Sequence, residues 1–240
     1  MAESIVVDFR RPVPLFPLGE TVLLPHAVQG LHVFEPRYRQ MVEACLAEAG
    51  GGSVLSARPI AMATVDPTLR GSRPSLPELR PAVCVGQIIR HERLADGRHN
   101  IVLHGVCRAR IVEMVEPGGQ RLYREAVLRP LEPPGRAVPH MPQTRRILRE
   151  MLQRPSVRRL ASVKAVTAWA ERGDLPTHAV IEVIGAALVQ DEATRYALLA
   201  CDDPWARARL VAEAIHRLER VVTGAERQKP GTWPKGLSWN

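Results

Sequence analysis

The segment PLEPPGRAVPHMPQ, residues 130–143, constrains the fold more than any other stretch of the chain. Its prolines fix φ and remove backbone donors, so neither a sheet nor a helix can run through it. The hydrophobic period differs on its two sides. Before it, apolar residues come in short runs bounded by Gly and Pro; after it, they recur every three to four positions. A chain of 240 residues broken in this way is expected to hold a β-rich part over 1–129, a proline-rich linker over 130–143, a helical part over 144–223 and a loose tail over 224–240. Strands followed by helices, rather than alternating with them, give an α+β fold class.

In the first part, 13–25 holds two apolar runs split by Pro17 and Gly19, and proline inside a run points to an edge or a bend. A short strand at 30–34 runs into a helix over 36–49. Tyr38, Met41, Val42, Cys45, Leu46 and Ala49 fall on one face of it, Pro36 suits its first turn, and Gly50–Gly52 stop it. Residues 53–65 read as a strand or strand pair. The Pro-, Ser- and Arg-rich stretch 66–81 reads as a long exposed loop. Within 82–116, Asp96-Gly97 between apolar runs marks a hairpin, and Gly105 marks a bulge or bend in the return strand. A last strand is expected within 121–131.

Beyond the linker, helices are expected over 143–154, 156–172, 176–189, the residues after Asp191, and 204–222. The third is apolar nearly all round and should be central. Asp191 is a good N-cap, and Pro204 suits a first helical turn. Trp233 and Trp239 stand out in an otherwise polar tail.

Common catalytic constellations do not occur. There is no GxxxxGK(S/T), no GxGxxG after a strand, no HExxH and no GxSxG. His99 and His104 are five apart on one strand, which puts them on opposite faces. Cys45, Cys84, Cys107 and Cys201 have no CxxC spacing, so no zinc site is expected and buried free thiols are. No metal, cofactor or catalytic residue is assigned. The N-terminus lacks the pattern of a secretory signal, and no apolar run approaches membrane-spanning length; a cytoplasmic protein is expected. Net charge is +8, carried almost wholly by Arg. Its densest cluster is Arg145, Arg146, Arg149, Arg154, Arg158 and Arg159, a candidate basic surface for phosphate contacts or an ordinary solvated face.

Three stretches together resemble the N-terminal substrate-binding domain of Lon proteases: VPLFPLGETVLLPHAVQGLHVFEPRYRQMVEACL, VGQIIRHERLADGRHNIVLHGVCRARIVEM and IEVIGAALVQDEATRYALLACDDPWARARLVAEAI. The resemblance covers roughly residues 12–222. It implies a PUA-like β pseudo-barrel with a packed helix, followed by a C-terminal helical bundle. It also implies that the signature residues Phe34, Glu35, Pro36, Arg37, Tyr38, Asp96, Gly97 and Gly105 are structural. Phe34 and Tyr38 would seal the barrel–helix junction, and Glu35 and Arg37 would tie the helix start to nearby backbone.

The function so implied is non-catalytic binding of exposed apolar segments on unfolded or client proteins, as an adaptor for a protease or chaperone in quality control. Leu69, Leu76 and Leu79, apolar residues in an Arg-containing loop, are the candidate partner-binding residues. RNA binding through the barrel and the arginine cluster is the alternative.

Overall fold

The computed structural model describes residues 5–66, 68, 77–132 and 139–227. Two compact units emerge, one formed by residues 1–138 with 191–203, the other by 139–190 with 204–240. The first carries strands β1 (Val13–Leu18), β2 (Val28–Val33), β3 (Ile60–Val65), β4 (Leu79–Arg93), β5 (His99–Val115) and β6 (Glu125–Pro130), with helices α1 (Pro36–Ala47) and α5 (Glu192–Ala200). The second carries α2 (Pro142–Leu152), α3 (Ala161–Glu171), α4 (Thr177–Leu188) and α6 (Pro204–Arg227). The fold is thus α+β, with a six-stranded sheet and six α-helices among the described residues. Among the described residues, no helix is long and apolar enough to cross a membrane.

The strand order is β2-β5-β4-β3-β1-β6, and β6 pairs again with β5, so five strands close into a ring with β2 left outside. Alternate residues fill the ring's interior: Val13 and Leu15, Ala61 and Ala63, Val83 and Val85, Ala109, Ala126 and Leu128. Four alanines among these suit the narrow bore of so few strands. Despite its prolines, β1 is not an edge strand. Its pairing with β6 covers Val13 and Pro14, and its pairing with β3 covers Leu15 to Leu18. Neither proline therefore has to bridge two neighbours at once. Leu79, expected in an exposed loop, is instead the first residue of β4. It pairs with Val65 and packs on the ring core, because β4 starts earlier than the proline-rich sequence suggests.

Helix α1 buries Tyr38, Met41, Val42 and Cys45, and Gly50 and Gly51 take positive φ just past its end. Tyr38 lies against Phe16 with ring centroids 4.6 Å apart. The hairpin turns at Asp96–Gly97, where Gly97 has φ 78° and Asp96 accepts from the Arg98 N–H at 3.0 Å. Gly105 sits where the β4–β5 register shifts, opposite Gly86. Burial pushes the thiol pKa of Cys45 up to about 12. Burial, aided by Glu132, raises that of Cys107 to about 11. Both stay protonated at pH 8, and only the thiolate reacts. Titration of native protein with a disulfide reagent at pH 8 is therefore expected to leave both unmodified until denaturant is added. Labelling of either within minutes in the native state would contradict this burial.

Helix α5 lies in the stretch read as purely helical, yet belongs with the sheet. Tyr196 Oη accepts from the Ala82 N–H at 2.9 Å, and Arg108, buried on β5, donates to the Leu199 carbonyl at 3.2 Å. In the second unit α4 is buried on most sides, with α3 and α6 packed against it. Glu182 on α4 forms a buried ion pair with Arg207 on α6, Oε1 to Nε 2.8 Å. Ile147, expected on the apolar face of α2, is exposed; Leu148, Met151 and Leu152 are the buried face.

Candidate functional site

Strand β2 pairs with β5 in unbroken register from Val28↔His104 to Val33↔His99. Alternation puts Val28, Gly30 and His32 on one face and Gln29, Leu31 and Val33 on the other. The first three are exposed and Val33 is buried. Phe34 continues the outward row, its ring stacked 6.2 Å from that of His32. Val28 is 59% and Phe34 60% exposed, high values for large apolar side chains on one face. The register extends this face across three strands, in the rows Gly30–Val102–Arg90 and His32–Asn100–Glu92. A groove of about 520 Å³ runs over them, lined by Gly30, His32, Val102 and Arg90 among others. Ile89, at a register shift in β4, adds a further partly exposed apolar residue nearby.

The polar members of this face are held in a directed chain. Arg98 Nη1 lies 3.1 Å from His32 Nε2, and a guanidinium can only donate, so Nε2 accepts. His32 Nδ1 then donates to Asn100 Oδ1 at 2.8 Å, and Asn100 Nδ2 donates to Glu92 Oε2 at 3.0 Å. Arg98 is also paired with Asp96 at 2.6 Å. His32, Asn100, Glu92 and Arg98 are spoken for, which leaves the apolar side chains, with the exposed Arg90 beside them, as what the face offers a partner.

Behind the sheet, His91 Nε2 lies 2.9 Å from His99 Nδ1, and His99 Nε2 lies 3.4 Å from Glu43 on α1. Burial, then the neighbouring His99 and Arg93, lowers the His91 pKa. His99 is buried, and the arrangement pins α1 to the hairpin. His104 lies on the opposite face from His99, as their odd spacing requires, and its own pKa is lowered by burial.

Sequence-derived candidates fare unequally. Leu69 and Leu76 lie outside the described residues, as do Trp233 and Trp239. Glu35 and Arg37 pair with each other at 2.7 Å, and Arg37 lies over the Tyr38 ring. Phe34, expected to seal the barrel–helix junction, is 60% exposed, whereas Tyr38 packs inward against Phe16. Among the six arginines, Arg145 donates to the carbonyls of Ala170, Arg172 and Leu175 at the end of α3. Arg154 pairs with Glu219 at 2.6 Å, Arg159 with Glu226, and Arg146 with Glu150 at 3.6 Å. Arg149 and Arg158 are exposed. Three of the six are thus ion-paired within the protein, and Arg145 is engaged by backbone carbonyls.

A family model described as the ATP-dependent protease La (LON) substrate-binding domain matches residues 12–217. The chain belongs to this family. Two solved structures share the LON fold. The Lon N-terminal domain protein from Xanthomonas campestris is 21% identical, with a TM-score of 0.56 over 85% of this chain and 98% of that one. The N-terminal domain of Mycobacterium avium complex Lon protease is 19% identical, with a TM-score of 0.60 over 86% and 98%. No curated protein matches the sequence significantly. Sequence reasoning on this LON domain missed the Val28–Gly30–His32–Phe34 row. The signal was there as a period of two, but it runs from 28, ahead of the strand read over 30–34.

Proposed function

We propose that this LON domain is a non-catalytic protein-binding module that engages exposed apolar segments of unfolded or client proteins and serves as an adaptor for a protease or chaperone in quality control. The closed ring would be its PUA-like pseudo-barrel, and α2, α3, α4 and α6 its helical bundle. Membership of a substrate-binding family supports the role. The observation that carries it is the pair Val28 and Phe34, both large, apolar and more than half exposed on one sheet face. Burying such a side chain fully is worth about 1.5–3 kcal/mol. With each side chain about 60% exposed, two anchors supply ~2–4 kcal/mol, the millimolar-or-weaker range before ordering costs. That suits transient, sequence-tolerant capture.

The double variant Val28→Ser, Phe34→Ser is expected to weaken binding to a fluorescently labelled, reduced and carboxymethylated unfolded protein at least tenfold. Its melting temperature should stay within about 2 °C of the parent, since neither side chain supports the core. Unchanged affinity would remove this face as the site. RNA binding has lost its main support, because four of the six clustered arginines already have partners within the protein.

A further inference from the structure

Resting on the protein-binding role above, we propose that a client enters as an added β-strand on the open edge of β2. Among the described residues the sheet ends at β2, whose one strand neighbour is β5. The Gly105 N–H donates to the Ala27 carbonyl at 2.9 Å, which sets the phase of the antiparallel ladder. Bonded and non-bonded pairs alternate along such a ladder. Gln29, Leu31 and Val33 therefore exchange hydrogen bonds with Leu103, Ile101 and His99. The backbone N–H and C=O groups of Val28, Gly30 and His32 point away from the sheet. All three residues are exposed. The Gly30 carbonyl accepts from its neighbour Gln29 Nε2 at 3.0 Å, a local contact that a client N–H can replace.

Open edges are normally protected by a charge, a proline or a bulge. The strand VQGLHV has none of these, in a chain that carries 21 prolines and 33 Lys and Arg residues. Its edge is therefore suited to strand addition, in which backbone bonds give affinity and alternate side chains give selectivity. The occupant is an extended, uncharged segment with apolar residues at every second position. Val28 and Phe34 flank Gly30 on the outward face, and nothing lies within 4 Å of where a Gly30 Cβ would be. A β-branched or aromatic client residue opposite Gly30 covers that gap. A second copy of the chain is a poorer occupant. A six-residue strand is roughly 20 Å long, and pairing along it alone falls short of the roughly 800 Å² per partner of a stable dimer.

The test uses Gly30→Pro and a labelled decapeptide alternating Val and Ser. The Gly30 N–H is not needed by β5 and the site has room, so proline removes one edge donor and obstructs an added strand while sparing the sheet. Gly30→Pro is expected to lower affinity for the peptide at least tenfold, and Gly30→Ala less than twofold. Two further peptides, N-methylated on alternate sets of amides, should differ: one set abolishes binding to the parent protein and the other leaves it intact, because only one edge of an added strand is used. If Gly30→Pro does not fold, these peptides decide alone. Equal binding by both methylated peptides, with the unfolded protein still captured, would overturn edge addition and leave the protein-binding role standing. Failure of the parent to bind unfolded protein at all would remove both. A concentration-dependent dimer lost in Gly30→Pro would replace the client with a second copy and overturn the proposal.

Discussion

Glu182→Ala is expected to destabilise the helical unit by about 3–5 kcal/mol, the usual cost of leaving one member of a buried ion pair without the other. Glu182 and Arg207 are both buried, on α4 and α6, with Nε and Oε1 2.8 Å apart. Desolvating the two charges offsets much of their attraction, so the pair adds little net stability while it is intact. The double variant Glu182→Leu, Arg207→Met removes both charges and keeps the volume. It should therefore recover most of what the single variant loses. Urea melts of parent, single and double variants measure this directly. A Glu182→Ala protein as stable as the parent would mean that water reaches the pair.

Gly105→Ala should be of comparable severity for the sheet unit, roughly 3 kcal/mol or failure to fold, at or beyond the upper end for overpacking. A Cβ at Gly105 would stand 2.2 Å from the Leu24 carbonyl oxygen and 3.1 Å from Cys84 Sγ. The obstacle is backbone. The Leu24 carbonyl accepts from the Ala27 N–H at 3.2 Å, and Gly105 itself accepts from the His26 N–H at 2.8 Å and donates to the Ala27 carbonyl at 2.9 Å, so Leu24 cannot retreat without breaking the entry to β2. Gly30→Ala is the matched control, since nothing lies within 4 Å of its added methyl. Equal stability of the two alanine variants, measured by thermal melts, would show that the Leu24 segment yields.

What could be read from the sequence was what local chemistry decides. Asp96-Gly97 marks a turn because a positive φ suits Gly97, and Gly105 marks an irregularity because a side chain does not fit there. Tyr38, Met41, Val42 and Cys45 fall on one helical face whatever the helix packs against. Distant partners were not legible. Arg154 meets Glu219 and Tyr196 meets Ala82 across 65 and 114 positions, so a cluster of arginines looked basic and α5 looked like part of the helical unit. The prolines of β1 obscured its place inside the sheet, since only the change of partner at Leu15 accommodates them. The candidate site escaped for a related reason. Which of its two aromatic residues turns inward, Tyr38 against Phe16 while Phe34 stays exposed, is not written in the string FEPRY.

Hydrogen–deuterium exchange on the full chain, with and without a saturating concentration of the labelled unfolded protein, tests the binding face most directly. Slower exchange is expected over residues 28–34 and, more weakly, 89–102, with α2 and α3 unchanged. Protection confined to the helical unit, or none anywhere despite demonstrated binding, would contradict recognition through the β2–β5–β4 face.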